Sequence, residues 1–231
     1  MNILRLLYPQ RCPICDEIVG GFKDLVCMKC RRKKRLLTSP WCLKCGKKLL
    51  EDNGYCEDCR KKKHYYEYGR ALYEYKYMRE SIYRFKYSGR REYAAFYGEE
   101  IEKYLIDFLK GVSPEGIIPI PLHKKRKNKR GYNQAALLAN EVGRRLGIPV
   151  YEKLLVREKN TVALKYQNPS ERQNNLKKAF KVKQNDVKLN RVIIMDDIYT
   201  TGSTIDEVSK TLKEHGVLEV YFLTLANGEG I

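Results

Sequence analysis

All eight cysteines of the 231-residue chain fall into four Cys-x-x-Cys pairs, Cys12/Cys15, Cys27/Cys30, Cys42/Cys45 and Cys56/Cys59, separated by 11, 11 and 10 residues. Two thiolates held two residues apart can turn about one metal ion through a tight knuckle. Two knuckles fill the four-coordinate tetrahedron that zinc prefers. Offsets of 30, 30, 29 and 29 carry the first four cysteines onto the second four, and each copy runs into a basic segment, 31–35 and 60–63. The pattern is an internal duplication. It predicts one zinc on Cys12, Cys15, Cys27 and Cys30 and another on Cys42, Cys45, Cys56 and Cys59, although an interleaved pairing also satisfies the spacing. Both sites are expected to be structural, because four thiolates leave no coordination position for water. Iron–sulfur ligation is the weaker alternative, since it generally uses other spacings. A module of about 60 residues buries too little apolar surface to fold securely alone, so the metal is expected to supply much of its folding free energy. No cysteine is left over as a catalytic thiol.

The formal net charge is +18, and residues 1–63 hold 16 basic against 7 acidic side chains, half of the excess in about a quarter of the chain. Such a balance favours polyanions, either nucleic acid or phosphorylated small molecules. Basic residues beside a knuckle also offset the charge of four thiolates, and the two readings stand level. Trp41 and Tyr55 adjoin knuckles, where they can stack on bases or cover a small core. With 43% hydrophobic and 32% charged residues, wholesale disorder is excluded. No apolar run approaches the length of about 20 residues that spans a bilayer, and the apolar stretch near the start is short for a secretory signal. With cysteines paired for metal, the expected compartment is the reducing cytoplasm.

After residue 64 the composition turns to tyrosine. Tyr73, Tyr75 and Tyr77 alternate as on a strand, and a helical pattern from Met78 to Leu109 breaks at Ser88 and Gly89. Aromatic residues among basic ones suit single-stranded nucleic acid, but tyrosines packing over a sheet edge have the better prior. Further on, IIPIP at 117–121 reads as a short buried strand, followed by a basic loop. Ala135, Leu138, Ala139, Val142 and Leu146 then line one helical face that ends at Gly147 and Pro149. A strand at 192–195, a helix with Ile205, Val208 and Leu212 that closes at Gly216, and a strand at 220–225 complete the order. Strands alternating with helices predict an α/β domain over 65–231, a parallel sheet with flanking helices, behind a zinc-ribbon module over 1–64.

Ligands of such sheets bind at the carboxyl ends of strands. There, after 192–195, stand Asp196 and Asp197 and then Thr200, Thr201, Gly202, Ser203 and Thr204. The hydroxyls and backbone N–H groups at a helix start favour a phosphate, and Gly202 permits close approach. The two carboxylates, set a short distance away, can accept hydrogen bonds from vicinal hydroxyls. A Thr204–Glu207 capping box would explain that pair of residues but not the adjacent aspartates. No lysine follows the glycine as in an NTPase P-loop.

The string VIIMDDIYTTGST resembles the phosphoribosyl-pyrophosphate loop of type I phosphoribosyltransferases. Together with PIPLHKKRKNKRGYNQAALLA at 119–139, ERQNNLKKAF at 171–180 and the cysteine ribbon, the chain resembles the ComF family of competence proteins along nearly its whole length. The resemblance implies a type I phosphoribosyltransferase fold and a role in handling single-stranded DNA taken up during natural transformation. It places Asp196 and Asp197 on the ribose hydroxyls, Thr200 to Thr204 on the 5-phosphate, and Arg126, Arg130, Gly131 and Asn133 on the pyrophosphate. Magnesium is then expected to arrive with the substrate, held mainly by its own oxygens. Residues 157–180 would form a hood, in which Arg172 and Asn175 match the family and Leu164 replaces a frequent glutamine. Little chain follows the last strand to read a base, so the acceptor of a pentosyl transfer is not visible. The alternatives are a non-catalytic adaptor that binds single-stranded DNA and a helicase-like competence ATPase, or a sensor of phosphoribosyl pyrophosphate.

Overall fold

The computed structural model describes residues 9–20, 24–31, 36–158, 179–183 and 188–228. In chain order its elements are α1 (Met28–Arg31), α2 (Glu57–Lys61), β1 (Gly69–Glu74), α3 (Tyr75–Tyr87), α4 (Tyr93–Val112), β2 (Gly116–Pro119), α5 (Lys124–Arg130), α6 (Gln134–Leu146), β3 (Leu155–Arg157), β4 (Phe180–Val182), β5 (Arg191–Tyr199), α7 (Ser203–Glu214) and β6 (Glu219–Asn227). Four strands form one sheet in the order β1-β6-β5-β2, every pair parallel, and β3 and β4 form a small antiparallel pair.

The two central strands, β5 and β6, are apolar along most of their length because both faces of the sheet are covered. Side-chain alternation divides β5 between two cores. Ile193 and Met195 join a cluster with Met78, Ile82 and Phe85 of α3, Tyr97 and Ile101 of α4, and Leu138 and Val142 of α6. Val192 and Ile194 point the other way, onto Ile205, Val208 and Leu212 of α7 and onto Cys42, Cys45 and Cys56. The second ribbon is thus part of the covering of one face of the sheet. Its cysteines share a core with the α/β unit and do not sit in a separate one.

Three local expectations change. Tyr75 and Tyr77 lie in α3, not on a strand, because β1 has its last pairing partner at Asn227 opposite Glu74. Beyond it the chain gains more by burying the helical face of Met78, Ile82 and Phe85. The basic loop at 124–130 is the helix α5, capped by His123, whose Nδ1 accepts from the Lys125 amide at 3.3 Å, and closed by Gly131 in the left-handed region at φ 79°. Finally, β5 does not stop at Met195. It continues through both aspartates to Tyr199, hydrogen-bonded beside Thr224 to Asn227 of β6.

Candidate functional site

Each repeat gathers its own four cysteines, so the sequential pairing is the one the structure adopts and the interleaved one is not. In each cluster the ligand atoms lie within 4.8 Å of one another. Cys15 and Cys27 are 3.7 Å apart at Sγ, and so are Cys45 and Cys56. A tetrahedron with Zn–S bonds of about 2.3 Å has S···S edges of about 3.8 Å, so both cages fit zinc. The first cage sits in a small cluster with Val19, held to the main body by Tyr93, whose hydroxyl donates to Asp16 at 2.6 Å.

The second cage reaches further. His64 lies between it and α7, with Nε2 3.6 Å from Cys59 Sγ and Nδ1 2.7 Å from Asp206 Oδ2. Lys62 Nζ stands 3.1 Å from the same oxygen, and the Tyr65 amide donates to Asp206 Oδ1 at 3.1 Å. An outer partner of this kind orients a metal ligand. Asp206 belongs to the first turn of α7, so the exit from the second ribbon is bonded to the helix start that follows the aspartates.

That helix start has no side-chain cap. Its N-cap is Gly202 at φ 74°, with no side-chain hydrogen bond, and Thr204 lies inside the first turn, so the alternative of a Thr204–Glu207 capping box does not define the terminus. Thr201 and Ser203 face each other, their hydroxyl oxygens 3.0 Å apart. The donors of an N-terminus with no side chain folded over them favour an anion. Gly202 also has a steric reason to be glycine, since a Cβ there would collide with the Tyr199 hydroxyl, itself 2.8 Å from that of Tyr66. Gly202→Ala is therefore expected to lower the thermal unfolding midpoint by several degrees, through both the contact and the left-handed φ. Circular dichroism on heating checks the effect.

Asp196 and Asp197 lie in β5 just past its last pairing with β2 at Met195 and still beside β6, with the Asp197 amide donating to Asp196 Oδ1 at 2.8 Å. Burial, and then the charge of Asp197, push the Asp196 carboxyl up to about 7. A carboxyl raised on folding holds its proton in the native state over a range where the unfolded chain has lost it. Stability tied to this group is thus greatest near pH 4 and falls as pH rises through about 7. Asp196→Asn should remove that slope, which denaturant unfolding at pH 5 and pH 8 would measure.

Cations reach the carboxylates through a chain of neighbours: Lys86 pairs with Asp197, Arg157 acts on Asp196, Arg126 on Arg157, and Arg130 on Arg126. Lys86 Nζ is 2.8 Å from Asp197 Oδ1, both side chains 16% exposed. On α5 the six cations divide: Arg126 and Arg130, one turn apart, are half-buried, whereas Lys124, Lys125, Lys127 and Lys129 are exposed. Arg130 donates to Gln134 Oε1 at 2.7 Å and to the Tyr87 hydroxyl at 2.9 Å. Burial and the neighbouring Arg130 lower the Arg126 guanidinium from its ordinary range. Burial and then Arg126 bring Arg157 down to about 10, against the opposing pull of Asp196. Asn133 is committed to the backbone on both sides, accepting from the Ala135 amide at 3.2 Å and donating to Ile120 O at 2.9 Å. With Gly131 it holds the turn between α5 and α6 in shape.

A double zinc ribbon domain model matches residues 3–60, and a phosphoribosyl transferase domain model matches residues 132–230. Competence protein F of Haemophilus influenzae is 31% identical over 94% of this chain and 96% of its own length. The chain belongs to the ComF family. Competence protein ComFC of Bacillus subtilis is 30% identical over 84% of this chain and 80% of its own length. DNA utilization protein YhgH of Salmonella typhimurium is 26% identical over 93% and 96%. The ComF fold therefore joins a double zinc ribbon to a type I phosphoribosyltransferase-like sheet.

The aspartates and the turn at Thr200 to Thr204 occupy the carboxyl end of β5, and α5 with Arg126 and Arg130 follows the carboxyl end of the neighbouring strand β2. Most of the hood at 157–180, with Leu164, Arg172 and Asn175, lies outside the described residues. Sequence reasoning missed Lys86, Arg157, His64 and Asp206. Their only local signals were position beside an aromatic run, at a strand end, after the last knuckle and in a first helical turn, and none of these is specific. No helix among the described residues is long and apolar enough to cross a membrane.

Proposed function

We propose that the chain binds phosphoribosyl pyrophosphate with magnesium at the carboxyl end of β5 and acts in the uptake and processing of single-stranded DNA during natural transformation. The observation that carries the ligand is charge crowding. Arg126, Arg130 and Arg157 are half-buried; burial and then Arg130 lower Arg126, and burial and then Arg126 lower Arg157, which faces the pull of Asp196 beside a helix terminus without a side-chain cap. A ligand that is polyanionic at one end and carries vicinal hydroxyls in the middle matches all three parts. Asp196 and Asp197 would take the ribose hydroxyls and the turn from Thr200 to Thr204 the 5-phosphate. The α5–α6 turn, with Arg126, Arg130, Gly131 and Asn133, would take the pyrophosphate. Magnesium would ride on the ligand's own oxygens and neutralise part of the pyrophosphate charge, which agrees with a site that spends its carboxylates elsewhere. Pentosyl transfer is the reaction this arrangement suits, because the arginines stabilise a departing pyrophosphate. Calorimetric titration with the magnesium complex tests the reading, and no measurable heat at millimolar ligand would remove it.

DNA contact is supported by a different surface. Tyr83 and Tyr87, each 52% exposed, lie with ring centres 5.0 Å apart, and the Arg130 guanidinium lies 4.6 Å over Tyr87. Beside them run the four exposed lysines of α5. Aromatic faces next to cations are the usual platform for single strands. Oligonucleotide affinity should fall steeply with salt. Replacing Lys124, Lys125 and Lys127 by Gln should flatten the slope by about 0.7 log units for each phosphate left without its lysine. An unchanged slope would exclude this surface. The relatives named for competence and for DNA utilization support the same role, and the domain-model matches over 3–60 and 132–230 support a ribbon followed by a phosphoribosyltransferase unit, which we divide at residues 64 and 65.

A further inference from the structure

We infer that Lys86 contacts the ligand, its ammonium bonding the pyrophosphate when Asp197 turns to a ribose hydroxyl. The inference rests on the reading of the site given above. Lys86 comes from α3, outside both the aspartate loop and the α5–α6 turn, yet its Nζ stands 2.8 Å from Asp197 Oδ1. Among the described residues it is the ion-pair partner of the aspartate pair. Its backbone is locked to the other wall of the site. The Tyr132 hydroxyl donates to Phe85 O at 2.5 Å, Gln134 Nε2 donates to Lys86 O at 3.3 Å, and Arg130 donates to the Tyr87 hydroxyl at 2.9 Å. These three bonds fasten the last turn of α3 to the last residue of α5 and to the residues that follow it. The lysine is therefore carried between the carboxylates and the pyrophosphate turn on a rigid element, a placement that fine positioning of a ligand needs.

A purely structural ion pair explains the contact less well. The helix is already anchored by Met78, Ile82 and Phe85, and burying two charges to hold it again costs desolvation that such a pair barely repays. Lysine is also the residue for the task. It presents a compact charge on a flexible stem, able to swing from a carboxylate to a phosphate oxygen without moving the backbone.

Magnesium phosphoribosyl pyrophosphate, magnesium pyrophosphate and ribose 5-phosphate, each titrated into wild type, Lys86→Met and Lys86→Arg, test the inference. The methionine variant should bind phosphoribosyl pyrophosphate and pyrophosphate about ten- to a hundredfold more weakly and ribose 5-phosphate within about threefold of wild type. The arginine variant should recover most of the loss. If the unpaired Asp197 destabilises Lys86→Met, the double variant Lys86→Met/Asp197→Asn restores a neutral pair. Pyrophosphate, which does not use Asp197, should still bind it weakly. Wild-type affinity for pyrophosphate in Lys86→Met or in Lys86→Met/Asp197→Asn, or equal losses for pyrophosphate and ribose 5-phosphate, overturns the inference and leaves the site reading intact. A wild-type protein that binds none of the three ligands overturns both.

Discussion

Serine in place of Cys45 is expected to unfold more than the ribbon that carries it. The thiol is 1% exposed and packs in the same cluster as Tyr66, Tyr199, Ile205 and Phe222, beneath the sheet and the first turn of α7. A structural zinc contributes on the order of 10–16 kcal/mol of apparent binding free energy to the fold that holds it, against a domain stability of about 5–15 kcal/mol. Losing one of four thiolates forfeits enough of that to matter to the whole face. The loss has a route into the ligand site, because Cys59 touches His64, His64 touches Asp206, and Asp206 donates its amide to Gly202 O at 2.8 Å. Metal analysis should find one zinc per chain in the variant, thermal unfolding should begin well below that of the wild type, and phosphate-ester binding should weaken. Cys27→Ser, in the cage that forms its own small cluster, should also lose one zinc but keep the cooperative unfolding of the sheet. Identical melting curves for the two variants would mean that the ribbons contribute alike and that the shared core is not what couples the second to the site.

The double variant Asp196→Asn/Asp197→Asn is expected to bind magnesium phosphoribosyl pyrophosphate at least about a hundredfold more weakly than wild type. Hydrogen bonds to a charged acceptor contribute about 1.5–3 kcal/mol each, and two are removed. An asparagine retains one carbonyl oxygen, which places the estimate at the low end. The effect on the fold should be small, and Asp196 gives the reason. Burial and a neighbouring carboxylate already work against its charge, so a neutral amide relieves a cost near neutral pH. Position 197 differs, since its amide leaves Lys86 without a carboxylate. Calorimetry of both proteins decides the matter. Equal affinities would remove phosphoribosyl pyrophosphate as the ligand, and with it both the enzyme and the sensor, leaving the DNA adaptor.

The two expectations draw on different amounts of sequence information. The knuckles, the strand–loop–helix with its aspartates, and the alternation of strands with helices were legible because each is a local pattern. Spacing of two residues makes a knuckle, a period of 3.6 makes a buried helical face, and a glycine followed by hydroxyl residues opens a helix. Where local patterns failed, a neighbour distant in the sequence had the deciding vote. Asp196 to Tyr199 remain in strand conformation because β6 runs alongside to Asn227, and Tyr75 and Tyr77 leave it because β6 ends there.

The sequence by itself determined two metal-binding repeats, a parallel α/β unit, and the residue types at the carboxyl end of its central strand. Only the tertiary structure decided that each repeat closes on its own four cysteines, and that two of the six cations of α5 face inward. It also brought Lys86 onto Asp197 and joined His64 to Asp206 across 142 residues. The physical reason is the reach of the interactions. Dihedral preferences and side-chain periodicity act over a turn or a strand, while charge pairing and core packing depend on which faces of the sheet the folded chain brings together.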